Sequence, residues 1–199
     1  EIIQQTFDAL KADGRSVYWP RRETTVDLDG LAYADSALEL ARQCRALDIA
    51  PQFVYLCALD TTQAGVVLGL EFLETGIKVR GISPFEDAPL RHQDMADIAN
   101  QGARRAGLGI ELGPIDFDND DSFVGEGYGI TTTAGLEALR TVAQTEGILL
   151  DPVYTSKAMS ALFAHIRQNM LPANQPVVFL HTGGNPALFG YAREILQRL

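Results

Sequence analysis

The clearest indication of the fold is the segment 177–186, which reads Val177-Val178-Phe179-Leu180-His181-Thr182-Gly183-Gly184-Asn185-Pro186. Its first four residues form a short apolar run, which is typical of a strand buried on both faces of a parallel sheet. The two glycines then allow positive φ and a close backbone approach, and Pro186 suits the first turn of a helix over 187–196. Open α/β sheets bind ligands at such strand–turn–helix junctions, although a Gly-Gly turn is also a common tight connection.

A second segment, 147–159, has a similar shape and reads Gly147-Ile148-Leu149-Leu150-Asp151-Pro152-Val153-Tyr154-Thr155-Ser156-Lys157-Ala158-Met159. An apolar run is followed by a turn at Asp151-Pro152, and Ser156 is placed to cap a helix through Met159. Tyr154 lies in this turn. It is either a half-buried aromatic residue with a bonded hydroxyl or a functional group.

The rest of the chain alternates strands with helices, which predicts one three-layer α/β domain over 1–199 with a doubly wound, mostly parallel sheet. The hydrophobic pattern predicts further helices at 2–12, 31–47, 63–74, 90–106 and 133–145. Further strands are predicted at 16–19, 53–59, 77–83 and within 107–113. The ranges 21–30 and 114–127 are predicted to be polar loops.

Composition excludes several classes of function. A formal net charge of −10 argues against nucleic acid as a partner. The two cysteines, Cys44 and Cys57, lack metal-ligand spacing and predict reduced, buried thiols. The scattered histidines predict no metal site, and the acidic run 116–121 favours a solvated loop over a calcium site. We expect no membrane association and a cytoplasmic location, since we find neither an apolar span nor a signal peptide.

Two polar junctions are candidate anion sites. Thr61 and Thr62 follow a predicted strand and open a helix, where free N–H groups and the helix dipole favour a phosphate. The alternative is ordinary N-capping by Asp60 or Thr61. Arg21 and Arg22 suit a carboxylate or phosphate, or they are solvated surface charges.

The segments 149–159 and 179–186 resemble the D-cysteine desulfhydrase / 1-aminocyclopropane-1-carboxylate (ACC) deaminase family of pyridoxal-phosphate (PLP) enzymes. The resemblance runs over nearly the whole chain, as the C-terminal portion of a longer family member. It implies the large domain of the tryptophan-synthase-β fold (fold type II), PLP as cofactor and a homodimer. It also implies β-elimination from a small amino acid, which gives pyruvate, ammonia and, from D-cysteine, sulfide.

The resemblance also implies roles for single residues. Tyr154 and Tyr128 correspond to the substrate-facing tyrosines, and Thr182, next to Gly183, corresponds to the partner of the pyridine nitrogen. Thr61 and Thr62 correspond to the phosphate cradle. Thr155 and Thr182 favour the desulfhydrase branch over the deaminase branch. The chain departs from the family at Ala58, Leu59 and Asp60, where relatives have a Gly/Ser/Thr-rich loop, and at Arg21 and Arg22.

The chain has three lysines, Lys11, Lys78 and Lys157, and none matches the family's Schiff-base position. The resemblance places that lysine before Glu1. Two alternatives therefore stay open. One is a catalytically impaired relative that binds a small anionic ligand or a protein partner. The other is an enzyme of the same fold with a different substrate, in which Arg21 or Arg22 binds a second carboxylate of that substrate.

Overall fold

The computed structural model describes residues 2–19, 25–58, 60–86 and 88–198. The helices in these ranges are α1 (Ile2–Ala12), α2 (Val26–Ala46), α3 (Thr61–Phe72), α4 (Ala88–Ala106), α5 (Thr133–Glu146), α6 (Thr155–Arg167) and α7 (Ala187–Arg198). The strands are β1 (Phe53–Cys57), β2 (Lys78–Ile82), β3 (Asp118–Asp120) and β4 (Val177–Leu180), and a short 3₁₀ turn covers Pro114–Asp116. None of the described helices is long and apolar enough to cross a membrane.

The strands form one parallel sheet in the order β3-β2-β1-β4. Val54 of β1 lies opposite Val79 of β2 on one side and opposite Val178 of β4 on the other. The chain moves outward from β1 to β3 and returns to the other side of β1 for β4, so the sheet is wound in both directions. The predicted fold class, a doubly wound parallel α/β sheet between helices, is confirmed.

Two apolar cores lie on opposite faces of the sheet, because side chains alternate along β1. Val54 and Leu56 belong to the core with α2, α3 and α4. Tyr55 and Cys57 belong to the core with α5 and α6. The sheet is therefore the middle of three layers, and the helices that follow each strand all begin at its carboxyl edge.

Some predicted elements are wrong, and tertiary contacts explain two of them. Helix α2 begins at Val26, inside a predicted loop, where the buried Asp27 pairs with Arg105 of α4 at 2.5 Å. The third strand forms at Asp118–Asp120 rather than within 107–113. There the Arg80 side chain of β2 forms an ion pair with Asp118 at 2.7 Å, and the same two residues lie opposite each other in the register of β2 and β3.

The apolar runs also differ from prediction. No strand forms at 16–19 or 148–150, and Ile148 and Leu149 are exposed. Strand β4 forms as predicted but is half-buried, since it lies at the edge of the described sheet and pairs only with β1 there.

Candidate active site

A cleft of about 910 Å³ opens at the carboxyl edge of the sheet. Loops that follow parallel strands meet at this edge, which is where open α/β sheets bind ligands. The lining residues come from the ends of β1, β2 and β4, from the starts of the neighbouring helices and from the middle of α4. They are Val26, Cys57, Ala58, Asp60, Thr62, Pro84, Phe85, Arg91, Asp94, Ile98, Tyr154, Thr182, Gly183 and Gly184.

The junction between β1 and α3 presents a helix N-terminus to this cleft. The Asp60 carboxylate caps α3 and accepts a hydrogen bond from the backbone N–H of Thr61 at 2.8 Å. Thr62 lines the cleft, whereas Thr61 is buried and is absent from the lining. Of the two threonines expected at a phosphate, the structure brings only the Thr62 side chain to the cleft. Leu59 lies outside the described residues.

The turn before α6 is organised by Asp151, a fully buried carboxylate. Its Oδ2 accepts from the backbone N–H groups of Val153 and Tyr154 at 2.8 and 2.9 Å. Its Oδ1 accepts from the backbone N–H and the hydroxyl of Thr155 at 2.8 and 2.7 Å. Asp151, rather than the predicted Ser156, therefore satisfies the free donors at the start of α6, and Ser156 lies inside the helix.

This capping arrangement places Tyr154 beside Tyr128. Their hydroxyl groups are in direct hydrogen-bond contact, and their ring centroids lie 5.9 Å apart. Tyr128 stacks on Phe85, with centroids 4.5 Å apart and planes at 15°. Burial, and then the hydrogen bond with Tyr128, raise the pKa of Tyr154 well above its ordinary value. Tyr154 therefore holds its phenolic proton at neutral pH.

The turn after β4 forms the wall next to this pair. Thr182, Gly183 and Gly184 all line the cleft. Gly184 has φ +91°, and a Cβ there would lie 2.5 Å from Cγ of Asp151. The two signature segments therefore touch because glycine occupies this position.

The lysines lie away from the cleft, since none belongs to its lining. Lys157 is fully buried, and its Nζ donates to the carbonyls of Val124 and Gly127 at 2.6 and 3.1 Å. Lys11 lies over the Phe7 ring on α1, and Lys78 is exposed on β2.

Sequence reasoning missed several cleft residues. Arg91 and Asp94, on the first turns of α4, lie 3.9 Å apart and bring both charges to the rim. No motif marked them, because their proximity to the cleft comes from helix packing. Asp151 carried a signal, since an Asp-Pro pair before Thr155 is a pattern for helix capping. Arg21 and Arg22, expected as possible anion ligands, lie outside the described residues.

Comparisons with known proteins place this geometry in a family. The profile of the family described as "Pyridoxal-phosphate dependent enzyme" matches residues 3–183. A D-cysteine desulfhydrase of Salmonella newport (strain SL254) is 38% identical over 168 residues, which is 82% of this chain and 49% of that protein. A D-cysteine desulfhydrase of Salmonella schwarzengrund (strain CVM19633) is 37% identical over 164 residues, with the same coverage. The chain thus spans about half the length of these relatives.

Solved structures agree with the sequence relatives. An ACC deaminase homologue superposes with a TM-score of 0.85 at 27% identity, over 98% of this chain and 58% of that one. The processed form of threonine deaminase isoform 2 from Solanum lycopersicum shares the fold, with a TM-score of 0.54 at 16% identity over 96% of this chain and 55% of that one. The suspected resemblance is confirmed, and the chain belongs to the pyridoxal-phosphate dependent enzyme family.

Proposed function

We propose that this chain provides much of the active site of a PLP-dependent lyase that resembles D-cysteine desulfhydrase. The reaction is β-elimination from a small amino acid; D-cysteine and one water give pyruvate, ammonia and sulfide. The observation that carries the proposal is the Tyr128–Tyr154 hydroxyl pair, which meets beside a cleft that also contains Thr62 and Thr182.

The donors around the cleft fit PLP. The first turn of α3 offers backbone N–H groups and a positive dipole end, and Thr62 adds a hydroxyl, all of which suit a phosphate. Thr182 offers a neutral hydroxyl, which suits a ring nitrogen. The exception is the Asp60 carboxylate, because it carries negative charge at the same helix end.

In the proposed site, bound PLP supplies the electron sink for α-proton loss and β-elimination. Thr62 and the α3 N-terminus would hold the phosphate, and Thr182, with Gly183 beside it, would orient the ring. The Tyr154 hydroxyl lines the cleft and is protonated at neutral pH, so it would act as the general acid that donates its proton toward the departing sulfur. With the single Tyr154 proton directed to the sulfur, the Tyr128 hydroxyl would donate the hydrogen bond that orients Tyr154 Oη. Phe85 covers one face of Tyr128 and reduces its contact with water.

We further propose that the 199 residues are a single C-terminal α/β domain of a longer chain, in which an upstream lysine binds PLP covalently. The homodimer remains a prediction from the resemblance, and the cytoplasmic location remains a prediction from the sequence alone. Sequencing the gene upstream of Glu1 tests the lysine, and light scattering of the full-length protein tests the dimer.

Full-length protein purified with PLP and mixed with D-cysteine tests the function. Sulfide and pyruvate release in equal amounts supports it. Tyr154→Phe should lower kcat by about 10²–10⁴, the usual contribution of a general acid. Tyr18→Phe is the matched control, because Tyr18 is 85% exposed and is not part of the cleft lining. PLP uptake without sulfide release would contradict the reaction, and equal loss in both variants would contradict the role of Tyr154.

The second candidate is a diverged relative that binds a small anionic ligand without catalysis. The Asp60 carboxylate favours it, since a phosphate at the α3 N-terminus meets this charge. Titration of wild type and Asp60→Ser with PLP and with inorganic phosphate separates the candidates. Tight PLP binding by wild type supports the enzyme. Binding of small anions with no affinity for PLP in either protein supports the diverged relative.

A further inference from the structure

Lys157 is a buried charged group that the proposed reaction does not use. Its side chain is fully buried in the first turn of α6, three residues after Tyr154. Its described hydrogen-bond partners are the two carbonyls of Val124 and Gly127. Burying an amine costs free energy that a carboxylate partner normally offsets, so these bonds need an explanation.

The two carbonyls belong to the segment 121–130, which carries Tyr128. This segment contains glycines at 125, 127 and 129, all with positive φ, and glycine-rich backbone costs more entropy to order than other backbone. Other contacts fix its two ends. Asp120 Oδ1 accepts from the Ser122 backbone at 2.8 Å, and the Tyr191 hydroxyl donates to the Gly129 carbonyl at 2.6 Å. Lys157 reaches the middle, directly before Tyr128.

We propose that Lys157 is a positioning residue whose amine fixes the 124–127 turn and thereby holds the Tyr128 hydroxyl against Tyr154. The N-terminal end of α6 then positions both tyrosines: the Asp151 cap positions Tyr154, and Lys157 positions Tyr128. The consequence for catalysis rests on the proposed function, whereas the ordering of the turn does not.

We call the two hydrogen bonds from Lys157 Nζ to the carbonyls of Val124 and Gly127 the tether, and they do not depend on the charge of the amine. Burial lowers the pKa of Lys157, and the nearby Cys57 opposes that shift. A neutral amine retains two N–H donors, which is enough for the two carbonyls. The turn should therefore stay ordered across neutral pH. An apolar side chain of similar length removes both donors and leaves the carbonyls unsatisfied.

Amide hydrogen exchange of full-length Lys157→Met tests the ordering. We expect the backbone amides of 121–130 to exchange at least about tenfold faster than in wild type, with α5 (Thr133–Glu146) as the internal reference. The matched control is Lys78→Met, which removes an exposed lysine and should leave both segments unchanged. Unchanged exchange at 121–130, or equal acceleration in α5, would overturn the proposal.

A measurement on the wild type covers the case in which Lys157→Met does not fold. The three lysines are acylated with an amine-reactive ester and quantified by mass spectrometry. Lys157 should react far more slowly than Lys78. Its acylation rate should match the rate at which segment 121–130 opens locally, as measured by amide exchange. Reaction of Lys157 while those amides remain protected would overturn the tether.

A double-mutant cycle tests the link to catalysis. Lys157→Met should lower kcat, and combining it with Tyr128→Phe should be no worse than Tyr128→Phe alone, since both changes remove the same hydroxyl contact between Tyr128 and Tyr154. Independent, multiplying effects would overturn the positioning role. Absence of turnover in wild type would count against the proposed function and leave the exchange result to decide the tether.

Discussion

Replacing Asp151 with alanine should destabilise the protein strongly, because this buried carboxylate accepts four hydrogen bonds. Three come from backbone N–H groups of 153–155 and one from the Thr155 hydroxyl. At about 1 kcal/mol each, with more for donors left buried without an acceptor, the free energy of unfolding should fall by about 3–5 kcal/mol. The substitution also removes the desolvation penalty of a buried charge, so we expect a loss in the lower half of that range.

Denaturant unfolding followed by circular dichroism measures this loss, and the melting temperature should fall by roughly 10 °C. The matched control is Asp116→Ala. The Asp116 carboxylate also caps a short helical turn, accepting from Gly113 N–H at 2.7 Å, but it is exposed. Its removal should cost about 0.5–1 kcal/mol. If the two variants lose the same stability, the argument that burial and bond number make Asp151 the organiser of this turn is refuted.

Three further predictions concern the same signature segments and helix α6. Gly184→Ala should destabilise by about 1–3 kcal/mol more than Gly183→Ala in denaturant unfolding, because only at Gly184 does the new Cβ meet Asp151; equal losses would contradict that contact. Burial and the neighbouring Arg80 lower the pKa of His165. Its contribution to the free energy of unfolding is therefore present above about pH 6.5 and is lost as the pH falls through the folded-state pKa. Between about pH 7 and about pH 5, the free energy of unfolding should therefore decrease less in His165→Gln than in wild type. The raised pKa of Tyr154 acts on the alkaline side, where its contribution is present below about pH 10 and is lost as the pH rises toward the folded-state pKa. Tyr154→Phe should lose less stability than wild type above about pH 10, as measured by unfolding titrations.

Much of the fold was predictable from periodicity, because long amphipathic helices and short apolar strands leave clear patterns. Helices α1, α5 and α7 and the central strand β1 lie within a few residues of their predicted ranges. The failures are polar elements held by partners distant in sequence. Helix α2 starts early because Asp27 reaches Arg105, and β3 forms because Arg80 holds Asp118. No local pattern contains such a partner.

The candidate site was predictable in the identity of its aromatic and hydroxyl residues and less so in their geometry. Resemblance singled out Tyr128, Tyr154, Thr62 and Thr182, and the structure brings the first two into contact and all but Tyr128 into the cleft lining. Thr61 was expected to face the ligand and is buried instead. Its orientation depends on where the first turn of α3 begins, which the Asp60 cap decides.

The family, the parallel α/β class and the candidate site segments were all predictable, because motif order, apolar runs and glycine positions are local properties of the chain. How those segments meet was not predictable, because it depends on contacts between distant parts of the chain. Asp151 packs against Gly184, and Lys157 reaches back to the carbonyl of Gly127. Both contacts join parts of the chain about 30 residues apart. Their formation depends on the sheet and helices that bring them together, so no local pattern encodes them.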